Sequence, residues 1–447
     1  LKVRVLSVCI TVAALCPGAA AQVSERNEWP RTSFVAQGLD PARWRSLVRS
    51  IEEGFFREIR CVLIIKDGVI LAEQYFNGSH PDELINVRST VKSYTSALTG
   101  IAIDQGFIPG VETGLIGYFP EYEAALADPK RALTLRHALT MSLGLPRPTG
   151  SGSESESPPT PHDSWTLELL SRPLVFEPGA RFEYSSAGPS LLGAVIRRAS
   201  GMTVPEFASL YLFEPLGISN YRWSFRADGH AMTHSGFWAR PRDMARIGQL
   251  YLQQGRWGDQ QIVSQAWVEE STRAHLVALP TVGISYGYSW WQEPFLIEET
   301  WVDSYYASGD GGNKIYVLPA ENLVVVVTAG AYGTPWDHLQ IRAMMDRYIV
   351  PAATQKGGPP SPDPSWIRAP TEGAALGLAL CVLAIFGWPV LGVLGWRRRR
   401  RDGNDTVSLA TVGGAVAWLT AVVAALAMVE LLQESNLELL LNSGYMF

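Results

Sequence analysis

Cysteine is almost absent from this chain. Of its four cysteines, Cys9 and Cys16 stand in an N-terminal apolar run and Cys381 in a C-terminal one, leaving only Cys61 in the long stretch between. That stretch therefore forms no internal disulfide, and no Cys/His spacing in it suits zinc. Cys61 opens the apolar run Cys61-Val62-Leu63-Ile64-Ile65 and reads as a small buried hydrophobe, not a reactive thiol. Lysine is nearly as scarce: Lys2, Lys66, Lys92, Lys130, Lys314 and Lys356 are all there are. Net charge is −6 even though five arginines cluster at Arg397–Arg401, so the remainder is more acidic still. An acidic main domain argues against nucleic acid or anionic lipid as its partner. Phosphate-binding glycine loops and dinucleotide fingerprints are missing too, so no nucleotide cofactor is implied, and no metal.

Long uncharged runs are present, and they lie at the ends. Leu1-Lys2-Val3-Arg4, the apolar Val5–Leu15 and then Ala19-Ala20-Ala21 have the order of a secretory signal, residues 1–21, whether or not it is cleaved. Gly357–Pro370 is a Pro/Gly/Ser linker, and residues 354–373 separate a main domain, 22–353, from the C-terminal apolar segments. Ala374–Trp396 and Val407–Val429 carry no charge, and roughly 20 such residues span a bilayer. The arginine-rich loop between them, 397–406, is expected on the cytoplasmic side. The main domain and the tail 430–447 then lie outside the cytoplasm. Membrane lipid is thus an expected partner through two transmembrane helices.

Within the main domain, Arg43–Glu53 has the pattern of an amphipathic helix. Cys61–Lys66 and Val69–Tyr75, split by Asp67-Gly68, read as a β-hairpin. A helix-rich middle, about 106–240, holds a Gly/Ser/Pro/Glu-rich surface loop at Pro146–Ser164. Strands return at Trp301–Ser308, Lys314–Leu318 and Leu323–Thr328, with a helix over Asp337–Ile349 beyond them.

The chemistry concentrates at Ser89-Thr90-Val91-Lys92, opening a helical run over Tyr94–Gln105. A serine hydroxyl needs a base within hydrogen-bond reach to act as a nucleophile. Residues three apart share a helix face, so Lys92 is placed to serve Ser89. A lysine is a base only when its amine is neutral, a form that burial favours. The tetrapeptide alone is a weak signal, and its specificity comes from four downstream blocks. These are Leu135-Arg136-His137-Ala138-Leu139-Thr140-Met141, Glu177-Pro178-Gly179 leading to Glu183-Tyr184-Ser185-Ser186, Pro241-Arg242-Asp243-Met244-Ala245, and Ala307-Ser308-Gly309-Asp310-Gly311-Gly312-Asn313.

In that order the blocks resemble the serine hydrolases related to class C β-lactamases and low-molecular-weight penicillin-binding proteins, nearest to the branch of 6-aminohexanoate-oligomer hydrolases and esterases. The resemblance covers roughly residues 43–348. It implies an α/β, β-lactamase/transpeptidase-like fold: an antiparallel sheet flanked by helices, shared by both ends of the domain, with a helical subdomain inserted. It also implies catalysis by Ser89, Lys92 and Tyr184, the last a phenol able to pass a proton to the leaving group. Backbone N–H groups of Ser89 and Asp310 would form the oxyanion hole. Ser186, Ser308, Gly309, Gly311 and His234 would contact substrate.

Two positions depart from the family pattern. Ser186 stands where asparagine is usual. Ala307 stands where a lysine or histidine commonly binds a substrate carboxylate, which turns the expectation toward an ester or simple amide. A β-lactamase or D-alanyl-D-alanine peptidase remains an alternative, as does a non-catalytic sensor that binds a cell-wall fragment.

Overall fold

The computed structural model describes residues 29–125, 128–146, 164–226, 228–297, 299–334 and 336–354. The expected signal, both candidate membrane spans with their loop, the tail, the linker from residue 355 on and positions 147–163 of the Ser/Pro-rich loop lie outside the described residues. No helix among the described residues is long and apolar enough to cross a membrane.

Strands β1 (Ile59–Lys66) and β2 (Val69–Tyr75) form the expected hairpin. Asp67 and Gly68 both have positive φ, 53° and 78°, as a tight turn that matches strand twist requires. Further antiparallel pairings complete an eight-stranded sheet with β3 (Leu276–Leu279), β4 (Ile284–Tyr286), β5 (Trp291–Gln292), β6 (Tyr305–Gly309), β7 (Asn313–Leu318) and β8 (Leu323–Ala329). The order across the sheet is β2-β1-β8-β7-β6-β5-β4-β3. The early hairpin thus joins the late strands, with Lys66 opposite Leu323. This is the shared sheet with an inserted helical part that the resemblance implies.

Strand β8 is apolar from Leu323 to Val327 because both faces are covered. Val324 and Val326 pack into one core, and Val325 and Val327 into the other. The first core holds helices α2 (Val91–Asp104), α3 (Ala187–Ser200) and α4 (Pro241–Leu252). Helix α4 lies on β7 and β8 so closely that a β-carbon on Gly248 would fall 2.6 Å from Val324 and 2.9 Å from Ile315. The second core takes α1 (Ala42–Glu52), close to the expected span, and helix α5 (Asp337–Met344). Cys61 faces the first core, fully buried, and burial raises its thiol pKa.

Three expectations need correction. The single strand over Trp301–Ser308 is two pieces: Thr300–Val302 pairs with Phe295–Ile297 in a separate hairpin, and only β6 joins the sheet. The break falls at Ser304, whose hydroxyl donates to the Glu293 carbonyl at 2.5 Å and whose own carbonyl accepts from Glu293 N. The helix over Asp337–Ile349 is regular only to Met344; a wider π turn, Met345–Ile349, leads on to Val350–Thr354. The middle region also contributes strands: Arg222–Trp223 and Phe237–Ala239 form a small sheet with Ile85–Asn86 just before Ser89.

Candidate active site

Ser89 sits in a three-residue 3₁₀ turn, Arg88–Thr90, and α2 begins directly after it at Val91, earlier than the sequence pattern suggests. Lys92 follows three residues on, in the first turn of α2, on the same face as Ser89. The turn is held by Arg88 N donating to Asn86 Oδ1 at 3.0 Å and Thr90 Oγ1 donating to the Val87 carbonyl at 2.9 Å. Arg88 has φ 53°, a left-handed conformation that costs a non-glycine residue on the order of 1–3 kcal/mol. That strain lies one residue from the proposed nucleophile.

The Lys92 side chain is buried, 3% exposed. Its Nζ donates to Ser89 Oγ at 2.8 Å and to the His234 carbonyl at 2.8 Å, and lies 5.0 Å from the centre of the Tyr184 ring. Amine, hydroxyl and aromatic ring therefore share one small space. Tyr184 is half-buried against Trp291, with ring centres 5.6 Å apart. Its backbone is fixed from the Leu135–Met141 block: Glu183 N donates to the Met141 carbonyl and Gly179 N to the Ser142 carbonyl, each at 2.8 Å. The two sequence blocks thus act as one support. Ser186 stands half-buried at the start of α3, where the capping hydroxyl is that of its neighbour Ser185.

His234 does not form a rim of the cleft. It is 3% exposed, and its Nδ1 pairs with Ser190 Oγ at 2.8 Å. Burial and the Lys92 charge push its pKa down to about 3, so the ring is neutral at working pH. What reaches the site is its backbone carbonyl, a role no side-chain motif reveals. That carbonyl is fixed by its neighbour: Thr233 O accepts from Thr95 Oγ1 and Thr233 Oγ1 donates to Pro189 O, both at 2.8 Å.

Alternation along β6 sorts the third block. Tyr305 and Ala307 face the core that holds α2, whereas Tyr306 faces the opposite one. Gly309 lies on the Ser89 side: a β-carbon there would stand 2.2 Å from the Val87 carbonyl oxygen and 3.2 Å from Ser89 N. Ser308 turns the other way, and its hydroxyl accepts from the fully buried Lys314 Nζ at 2.9 Å. Its expected contact with substrate is not what the geometry provides. Asp310 comes next, at the tip. Its Oδ1 accepts from Gly333 N at 3.0 Å, and its Oδ2 lies 3.9 Å from Arg88 Nε. Gly311 and Gly312 complete the turn at φ 85° and 92°. Gly311 N is engaged by Asp337, behind the turn, at 3.0 Å.

The arrangement provides a hydroxyl with an amine in contact, a phenol alongside, and a strand end packed against the hydroxyl's own backbone nitrogen. Ser89 N, in the first turn of a helical segment, has no acceptor within that segment and is available to a developing oxyanion.

Comparison with known proteins identifies the family. The Beta-lactamase family profile matches residues 57–345, more than half of the chain. The 6-aminohexanoate-dimer hydrolase of Paenarthrobacter ureafaciens is 26% identical over 221 residues, 46% of this chain and 55% of that protein. The chain thus spans about half the length of that curated relative. Penicillin-binding protein 4* of Bacillus subtilis is 28% identical over 166 residues, 36% of this chain and 37% of that one. Among solved structures, the octameric penicillin-binding protein homologue from Pyrococcus abyssi superposes with a TM-score of 0.55 at 19% identity, covering 69% of this chain and 77% of its own, a likeness of fold.

Proposed function

Since the chain belongs to the Beta-lactamase family, we propose that it is a serine hydrolase that cleaves an ester or simple amide through an acyl-enzyme on Ser89. The 2.8 Å contact between buried Lys92 Nζ and Ser89 Oγ carries this reading. Lys92 Nζ takes the hydroxyl proton as Oγ bonds to the substrate carbonyl carbon. The tetrahedral oxyanion is met by backbone N–H groups of Ser89 and Asp310. As the intermediate collapses, the bond to the leaving alkoxide or amine breaks. The proton on Lys92 passes to that group by way of the Tyr184 phenol. Water then attacks the acyl carbon as Lys92 takes one of its protons, the bond from that carbon to Ser89 Oγ breaks, and the proton passes from Lys92 to Oγ, restoring the hydroxyl and the free amine. Every atom in this cycle comes from the substrate, water or the three side chains.

Ala307 favours substrates without a carboxylate beside the scissile bond, because a methyl group at that position binds no anion. The apolar runs 374–396 and 407–429, with Arg397–Arg401 between them, favour a catalytic domain tethered to the membrane on its extracytoplasmic face.

Hydrolysis of p-nitrophenyl butyrate by the full chain, with Ser89→Ala as control, tests the reading. Turnover by the parent and loss of it in the variant are expected; equal rates overturn it. Nitrocefin in the same assay separates an ester hydrolase from a β-lactamase. A Ser89 adduct that forms but never releases product would point to a binding protein.

A further inference from the structure

Lys314 has no part in the cycle above, yet it is one of six lysines and is completely buried. It lies on β7 directly opposite Ser308 of β6. Its Nζ donates to Ser308 Oγ at 2.9 Å and stands 4.4 Å from the centre of the Tyr306 ring. Asp337, at the start of α5 and 3% exposed, is the acid whose charge acts on it. One Asp337 oxygen accepts from Gly311 N at 3.0 Å and the other from His338 N at 2.6 Å. The pair therefore grips the strand end at two points, Ser308 and Gly311. Between those points lie Gly309, pressed against Val87 and Ser89, and Asp310, which carries the second oxyanion N–H of the proposed cycle. Asn313, also fully buried, adds a third hold through its Nδ2 on the Asp310 carbonyl at 2.8 Å.

We propose that Lys314, together with Asp337, is a positioning residue that sets the place of the Asp310 N–H in the oxyanion hole from the far side of the sheet. The inference rests on the serine-hydrolase reading. Its physical logic is that stability alone gives no reason for the arrangement. Burial disfavours the charged form of each group, lowering the Lys314 ammonium pKa to about 7 and raising the Asp337 carboxyl pKa to about 6, so charging either one carries a desolvation cost. Apolar side chains of similar volume commonly replace buried groups of opposite charge without loss of stability. What they do not replace is the direction of two hydrogen bonds onto the turn. An oxyanion donor works only when it points at where the charge develops, and loss of one such donor slows catalysis by about 10²–10³-fold.

The test uses the full chain with three variants: Lys314→Met, Asp337→Asn and the double variant, which leaves no unpaired buried charge. For each, kcat and KM on p-nitrophenyl butyrate, the rate of Ser89 labelling by a fluorophosphonate, the thermal midpoint, and amide hydrogen exchange across residues 309–312 are measured. The expected result is a fall in kcat and in labelling rate of about tenfold or more, with KM within about threefold of the parent. The double variant should recover the midpoint but not the rate, and exchange at 309–312 should quicken. A folded double variant with parental kcat and parental exchange overturns the proposal. So does a rate loss that disappears whenever the midpoint is restored. Labelling of parental Ser89 without ester turnover would overturn the hydrolase reading but not this one, because labelling and exchange still report the turn. A parent that neither labels nor turns over removes both.

Discussion

Gly309 and Ser89 meet backbone to backbone: a β-carbon on Gly309 would lie 3.2 Å from the Ser89 nitrogen and 2.2 Å from the Val87 carbonyl oxygen nearby. Neither neighbour is a flexible side-chain end, so the space cannot be made without moving the turn that carries the nucleophile. Gly309→Ala should therefore fold with β6 displaced and lose about 10²-fold or more in kcat, the scale of a lost oxyanion donor. Steady-state kinetics with circular dichroism checks this; a folded variant with more than about a third of parental kcat would show that the contact is incidental.

Lys92 is the second pressure point. Arginine supplies hydrogen-bond donors but stays protonated in proteins, so it cannot accept the Ser89 proton. Lys92→Arg should reduce kcat/KM by about 10²–10⁴-fold, the usual range for a general base. A variant within about tenfold of the parent would remove Lys92 from proton transfer.

His234 gives a prediction about stability. In the fold its pKa is held down to about 3, chiefly by burial, whereas the unfolded chain carries an ordinary histidine near 6.5. Between those values the unfolded state binds a proton that the folded state does not, so stability rises with pH across the window and falls as pH drops from about 6.5 toward about 3. Urea midpoints measured at three pH values across that window should track the slope. In His234→Gln, which keeps a polar partner for Ser190 but does not titrate, the slope should be shallower. An unchanged slope would assign the acid sensitivity to other groups.

Much of this site was legible in the residues, for local reasons. Asp67-Gly68 specified its turn without help from the rest of the fold, and the spacing of Ser89 and Lys92 follows from helical geometry alone. What escaped reading was tertiary. The His234 carbonyl is a backbone atom, and any residue type at that position presents one. The resemblance puts Ser308 among the substrate contacts, but strand alternation turns its hydroxyl to Lys314. The false continuity of Trp301–Ser308 has a similar cause: both pieces have strand-forming side chains, and the hydrogen bonds of Ser304 with Glu293, eleven residues upstream, divide them.

The pairing of β1 with β8 has one more consequence. Residues 59–66 find their partners at 323–329, so the sheet closes only after nearly the whole domain has been synthesised. Such distant contacts form late and slowly. Until they form, the strand end bearing Gly309 has no fixed place beside position 89. A nascent or half-folded chain, en route to wherever it is delivered, carries an ordinary alcohol there; reactivity arrives with the final strand.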